Sequence, residues 1–538
     1  MKTTHVIKLF ALAAGLLAAP PAFATLIINA PIDIIGNLPL AQFTGNGYGT
    51  RSYKDWGNEP SVAVNPLNPN DVFVSSFSFN TSLTTVGANV FYSTNGGSSW
   101  TSQFSVPAPV NGVVIPRDWT FGYDNTGTLH GAVLGGAVLT NIYQGMTANP
   151  TSLAAWSWTG GGARINEADS TNNADQPWIA VRNGKVFVAY DDFHSNTTIR
   201  VAVSNDNGAT FTIDNPITNG PRANSVNPGT RITTDGLGNV YSVFGLGPST
   251  ATPGVHNVTY YLNRSRDGGL SWDFNGSSAV GGIIIDSGVS TQLCNAPACT
   301  QASNNWFAGV NDLRGNVTAI ATDNTGAHVY VLIGKQDASG TDRIYLVTHE
   351  PVGTNLVKSS EIVVSPANQR AALPAITVKD DGTVVLMYET YAADGNVHIH
   401  VAFSTDFGAS IDSDVEEYRF TPLTLLQATG SSTSNREFGD YDFLMSIGDT
   451  FDGVFAGLGD VNGGGIDTTG LIDPFFFSGT DAVPEPGSFW LVLIGLGGAM
   501  WLRPGKRRIG MRFRSLCLSR TRSARSMSIV RCRSFTGD

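Results

Sequence analysis

The residues able to do chemistry fall into short, widely separated clusters. One set comprises Glu59, Arg117-Asp118, Asp175, Arg231, Arg370 and the run Arg436-Glu437-Phe438-Gly439-Asp440-Tyr441. A second comprises Asp191-Asp192-Phe193-His194, Lys335-Gln336-Asp337 and Tyr388-Glu389. A guanidinium grips carboxylates through paired hydrogen bonds, and a well-placed carboxyl group gives or takes a proton. Arginines interleaved with acids and tyrosines therefore suit a binding site for a polar ligand, or hydrolysis of one. The alternative is that these charges pair with one another around a solvated rim.

Residues so scattered act together only if repeated elements deliver them to one place, and the chain does repeat. Glu59-Pro60-Ser61-Val62-Ala63-Val64 leads to Asp71-Val72-Phe73-Val74, Asp175 to Val181 leads to Lys185 to Tyr190, and Leu373 to Val378 leads to Thr383 to Tyr388. Each reads as a strand, a tight turn and a second strand. The same pairing recurs from Trp119, Arg231, Val317 and Tyr441. Seven units therefore start near residues 59, 117, 175, 228, 315, 372 and 440, a period of about 60 residues. A second motif follows four of them: Ser93 to Trp100, Ser204 to Phe211, Ser265 to Trp272 and Ser404 to Ile411, with the pattern Ser-x-Asp-x-Gly-x-Ser/Thr-aromatic. Its acid can bond nearby backbone donors and its glycine can take a positive φ, as a hairpin turn requires. The expected fold is all-β, a β-propeller of four-stranded blades, with seven blades expected and two β-sandwiches as the alternative.

The turn motif resembles the Asp-box, or bacterial neuraminidase repeat, of sialidases and related propellers. Two copies depart from it, with Asn95 in place of the acid and Ile411 in place of the aromatic residue. The resemblance implies that the box joins the third and fourth strands of a blade, on the face opposite the ligand. Asn95, Asp206, Asp267 and Asp406 would then serve structure. It also raises a six-bladed alternative, because sialidases have six. At the opposite mouth it implies an arginine trio for a sugar carboxylate, drawn from Arg117, Arg231 and Arg370 or Arg436, with Asp191 and Asp192 as further binding groups. It implies an acid, Asp118 or Asp175, and a tyrosine nucleophile activated by glutamate, either Tyr388 with Glu389 or Tyr441 with Glu437. The Arg-Ile-Pro signature of the family's first blade is replaced here by Ile115-Pro116-Arg117. Trp56, Trp119 and Trp178 are candidate platforms for sugar rings.

The ends carry a different message. Lys2 and Lys8, the apolar run Leu9 to Ala19 and Ala22-Phe23-Ala24 read as a signal peptide over 1–24. Pro484-Glu485-Pro486, an apolar run to Leu502 and the cluster Arg503, Lys506, Arg507 and Arg508 resemble the PEP-CTERM sorting signal over 483–508. That resemblance implies transient membrane anchoring through a C-terminal helix and processing by an exosortase-type enzyme. It places the protein at the bacterial surface, outer membrane or extracellular matrix. The domains expected are the signal peptide, an N-terminal extension over 25–55, the propeller over 56–480, the sorting segment and a basic, disordered tail over 509–538. With −11 for the whole chain and roughly +12 in the two ends, the body carries about −23, which argues against nucleic acid as partner. Cys294 and Cys299 in Cys-Asn-Ala-Pro-Ala-Cys read as a disulfide staple in an exported chain. No cofactor motif and no metal-ligand spacing is found. The functional expectation is a carbohydrate-directed surface propeller that binds or hydrolyses glycan or exopolysaccharide. The alternatives are a non-catalytic scaffold and another hydrolase or lyase.

Overall fold

A computed structural model describes residues 26–36, 57–78, 87–109, 117–136, 140–152, 155–166, 174–193, 198–219, 225–247, 255–291, 315, 317–420, 439–458 and 472–481. All its strands lie in one compact unit, Thr25–Ala482. Seven antiparallel sheets account for them, and within each sheet the strands follow one another outward in chain order, except for the strands that complete the seventh.

The innermost strands are Gly57–Val64, Arg117–Tyr123, Ala174–Arg182, Ser225–Thr234, Ala319–Thr322, Arg370–Val378 and Phe443–Ile447, and each neighbours the next around a closed ring. This is a seven-bladed propeller, as the repeat predicts. Apolar layers fill the seams between blades. Phe73, Trp119, Phe121 and Leu129 pack together between the first and second, and Met387, Ile399, Leu444, Phe455 and Phe475 between the sixth and seventh.

The turns after the third strands repeat one hydrogen-bond pattern. The Gly208, Gly269 and Gly408 amides donate to Ser204, Ser265 and Ser404 Oγ at 2.8–2.9 Å. The Thr210, Ser271 and Ser410 amides donate to Oδ1 of Asp206, Asp267 and Asp406 at 2.8–2.9 Å. Asn95 supplies the same acceptor to Ser99 N at 2.9 Å, so the amide replaces the acid without altering the turn. These turns join third to fourth strands in blades one, three, four and six. The motif glycines also abut the preceding blade. A Cβ on Gly97, at φ +82, would lie 1.9 Å from Phe476, and one on Gly208 3.0 Å from His130.

The seventh blade is completed from both ends of the unit. Its strands Phe443–Ile447, Thr450–Leu458 and Ile472–Asp481 are extended by Leu26–Ile28, which pairs Leu26 with Asp481 and Ile28 with Gly479. Ile32–Asp33 adds a second short pairing, and Ile34 and Ile35 are buried beside Trp100 and Phe476. The segment read as an N-terminal extension thus contributes the strand that closes the ring.

Candidate functional site

Five of the seven innermost strands begin with a break in register. It falls between Asn58 and Ser61, Arg117 and Trp119, Asp175 and Trp178, Ser225 and Thr230, and Ala372 and Ala375. Glu59, Asp118, Gln176 and Leu373, one in each of four of these bulges, hold φ between +33 and +53. A bulge re-aims its side chain, and left-handed backbone at a non-glycine residue costs of order 1–3 kcal/mol, so it persists where the surroundings enforce it. Three of the four blades use it to bring a polar residue to the axial mouth.

There Arg231 is 2% exposed. Its guanidinium carbon lies 4.1 Å from the Trp178 ring centre and 5.5 Å from that of Tyr441. Nη1 donates to Gln176 Oε1 at 3.5 Å and to Thr230 O at 2.9 Å. Gln176 Nε2 donates to Asp440 Oδ2 at 2.8 Å, and the Asp440 amide donates to Glu59 Oε1 at 3.1 Å. The Tyr441 hydroxyl accepts from Trp119 N at 3.1 Å and donates to Trp119 O at 3.3 Å. Burial draws Arg231 down to about 10, against the upward pull of Tyr441, Asp440, Asp191 and Asp118. Burial, reinforced by Glu59 and Asp118, pushes the Tyr441 phenol well above its ordinary value.

A second acidic group lies beside this cluster. Glu389, on the second strand of blade six, faces Asp442, just before the innermost strand of blade seven. Both are buried, and Asp442 Oδ1 accepts from Ala456 N at 3.2 Å. Desolvation, with Asp442 alongside, holds Glu389 well above the carboxylate range, and desolvation raises Asp442 to about 8. Two carboxyls so placed cannot both ionise cheaply, and burial keeps the pair protonated in part at neutral pH.

The structure therefore brings Asp118, Asp191, Arg231 and Tyr441 together and adds Glu59, Gln176, Asp440 and Asp442. Asp175 sits at the edge, half-buried, with Oδ1 accepting from Gln176 N at 3.0 Å; Asp192 is half-buried next to Asp191. Arg370 is drawn away to the adjoining blade, where Nε and Nη2 donate to Asp342 Oδ2 at 2.9 and 2.6 Å. Tyr388 and Glu389 do not form a couple. Adjacent residues of a strand face opposite ways, and the Tyr388 hydroxyl donates to Asp414 Oδ2 at 2.6 Å. Nor are the tryptophans free platforms: Trp119 is buried and stacked on Phe121 at 5.5 Å, and Trp178 carries Arg231 and stacks on Phe443 at 5.0 Å. Arg117 starts the innermost strand of blade two. Trp56, Arg436, Glu437, Cys294, Cys299, Pro484, Glu485 and Pro486 lie outside the described residues, as do the signal peptide and the sorting helix. Among the described residues no helix is long and apolar enough to cross a membrane, and no group of three or more His, Cys, Asp or Glu could hold a metal ion.

Gln176 escaped notice because no chemical motif singles it out, whereas Asp440 stands in the run 436–441. The signal for Gln176 is positional: Glu59-Pro60, Gln176-Pro177 and Leu373-Pro374 share one place in the repeat.

No family model and no curated protein matches the chain. Similar solved structures include the Penicillium chrysogenum α-L-arabinanase complexed with arabinobiose, 13% identical over 84% of this chain and 98% of that one, with a TM-score of 0.43. A PL25 ulvan lyase is 14% identical over 74% and 92%, with a TM-score of 0.36. The Hadza microbial sialidase Hz136 is 11% identical over 76% of each chain, with a TM-score of 0.39. At such scores these likenesses add nothing to what the seven sheets establish.

Proposed function

We propose that this chain is an exported, carbohydrate-directed propeller that recognises glycan at the mouth around Arg231. The observation that carries the reading is the convergence of Glu59, Asp118, Asp191, Arg231, Asp440 and Tyr441 from five blades, two of them on left-handed bulges. Four carboxylates against one guanidinium favour a neutral, hydroxyl-rich ligand: hydroxyls donate to the acids, and arginine donates to sugar oxygens. An anionic sugar is disfavoured by the same count, because Arg370 is committed to Asp342. Binding is favoured over exo-α-sialidase-type cleavage, since Tyr441 would have to surrender its bond to Trp119 O to act as nucleophile.

The Asp-box kinship of the turns, secretion through 1–24 and exosortase-dependent sorting through 483–508 belong to this proposal. Deleting 483–508 should abolish surface retention, and unchanged retention would remove the sorting claim.

The purified protein, presented with neutral exopolysaccharides and with sialosides for comparison, should bind the former without releasing reducing ends. Asp118→Ala should lose binding while keeping its unfolding midpoint. Binding that survives both Asp118→Ala and Asp440→Ala would sink the reading. A non-catalytic scaffold is the second reading, favoured by one observation: Glu59, Asp118, Asp191, Arg231, Asp440 and Tyr441 are each at most 4% exposed. It predicts no glycan binding at all.

A further inference from the structure

Behind the mouth cluster, the innermost strands of blades three to seven enclose an axial chamber of about 290 Å³. Its two ends differ. Arg231, Tyr441 and Asp442 line the mouth end and are at most 2% exposed, which seals it. Arg182, Thr322, Val378 and Ser446 line the other end and stay partly exposed. That end is ringed rather than plugged: Gly236 N donates to Asn324 O at 2.9 Å, Asn324 Nδ2 to Asp380 Oδ1 at 3.3 Å, and Asp380 N to Gly448 O at 3.1 Å. Arg182 joins the collar by bonding Asn324.

We infer that this chamber is a second binding site, entered from the turn face, for a small neutral polyhydroxy compound of monosaccharide size. Three observations carry it. First, Arg231 Nη2 is buried at the closed end and has no hydrogen-bond partner among the described residues; a buried guanidinium nitrogen left so forfeits bonding that a ligand oxygen can supply. Second, Asp442 lines the same end, and its Oδ2 is buried with no hydrogen-bond partner among the described residues, so it can accept from a ligand hydroxyl. Third, the size fits. A cavity of about 150 Å³ holds benzene, so roughly twice that volume holds about twelve non-hydrogen atoms, the size of a hexose. The walls between mix apolar Ala180, Phe443 and Met445, which accept the C–H face of such a ring, with Thr233, Thr318 and Thr377, whose hydroxyls suit its oxygens. The acids around Arg231 disfavour an anion.

The chamber shares Arg231 and Tyr441 with the mouth but is entered from the opposite face, so Ala180→Leu tests the chamber and Asp118→Ala tests the mouth. D-glucose, D-xylose and myo-inositol, with D-glucuronate as the anionic comparison, would be titrated into the protein by calorimetry and ligand-observed NMR. The neutral compounds should bind saturably and glucuronate should not. Ala180→Leu, which fills the chamber without touching a charge, should weaken binding at least tenfold, while Asp118→Ala leaves it unchanged. An absence of saturable binding up to roughly 50 mM overturns the inference, because a site weaker than that contributes under about 2 kcal/mol. Equal binding in Ala180→Leu also overturns it, as does loss in Asp118→Ala alone, which would assign the sugar to the mouth.

Discussion

The carboxyl pair at the seam of blades six and seven makes stability depend on pH in an unusual sense. Asp442 is raised from 3.8 to about 8 in the fold, and Glu389 lies well above its ordinary value. The native state therefore binds more protons than the unfolded chain between those limits. Stability is full below about pH 4 as far as this pair is concerned and is lost as pH rises through 8. Each proton so held changes stability by about 1.4 kcal/mol per pH unit. His349, lowered by burial to about 4, and His130, also lowered by burial, act oppositely, but only below their unfolded value of 6.5. Between pH 6.5 and 8 the acids act alone, and one proton gives a loss of about 2 kcal/mol. Asp452, raised by burial to about 7, adds a smaller contribution near the bottom of that interval. Urea unfolding followed by tryptophan fluorescence at half-unit steps from pH 6.5 to 9 reads this directly. The double variant Glu389→Gln with Asp442→Asn should flatten most of the slope, because it removes both carboxyls that burial raises, whereas Asp452→Asn should flatten only the part below about pH 7.5. A wild-type midpoint independent of pH across that range would refute the raised acids. So would a slope of equal size in the double variant.

Other substitutions test the scaffold. Gly97→Ala meets both the ring of Phe476 and a positive φ, and should cost on the order of 2–4 kcal/mol, measured as a fall in unfolding midpoint. Deleting 25–36 removes the closing strand with buried Ile34 and Ile35, and should lower the midpoint and expose the seventh blade to limited proteolysis. Asp206→Ala loses the bonds from Thr210 N and Oγ1; it should cost about 1 kcal/mol and leave glycan binding intact.

The blades were legible because each one begins with the same device, two strands around a tight turn, and in several of them the turn is an Asx turn. In blade two, Asp124 Oδ1 accepts from the amides of Thr126 and Thr128 at 2.8 Å, and Asp235 and Asp323 do the same work in blades four and five. The units expected from 59, 117, 175 and 372 begin at Gly57, Arg117, Ala174 and Arg370. Closure was not legible, because Leu26-Ile27-Ile28 is too short to carry a periodicity and its partner lies about 450 residues away. The site was legible only in part. Residue type pointed to Asp118, Arg231 and Tyr441, but type alone could not tell that Arg370 has a private partner in Asp342, or that Tyr388 turns to Asp414. Those choices are made by strand register, one residue either way.

The pairing of Leu26 with Asp481 has a mechanical consequence. The two strands run antiparallel and leave the ladder at the same end, so a pull on the two ends loads their hydrogen bonds one at a time instead of all together. The ring is thus held by a zipper rather than a clasp. Tension between the termini opens the seventh blade first, at low force, while the other six remain folded. In a force-extension trace this should show as an early event releasing the seventh blade, ahead of any larger rupture.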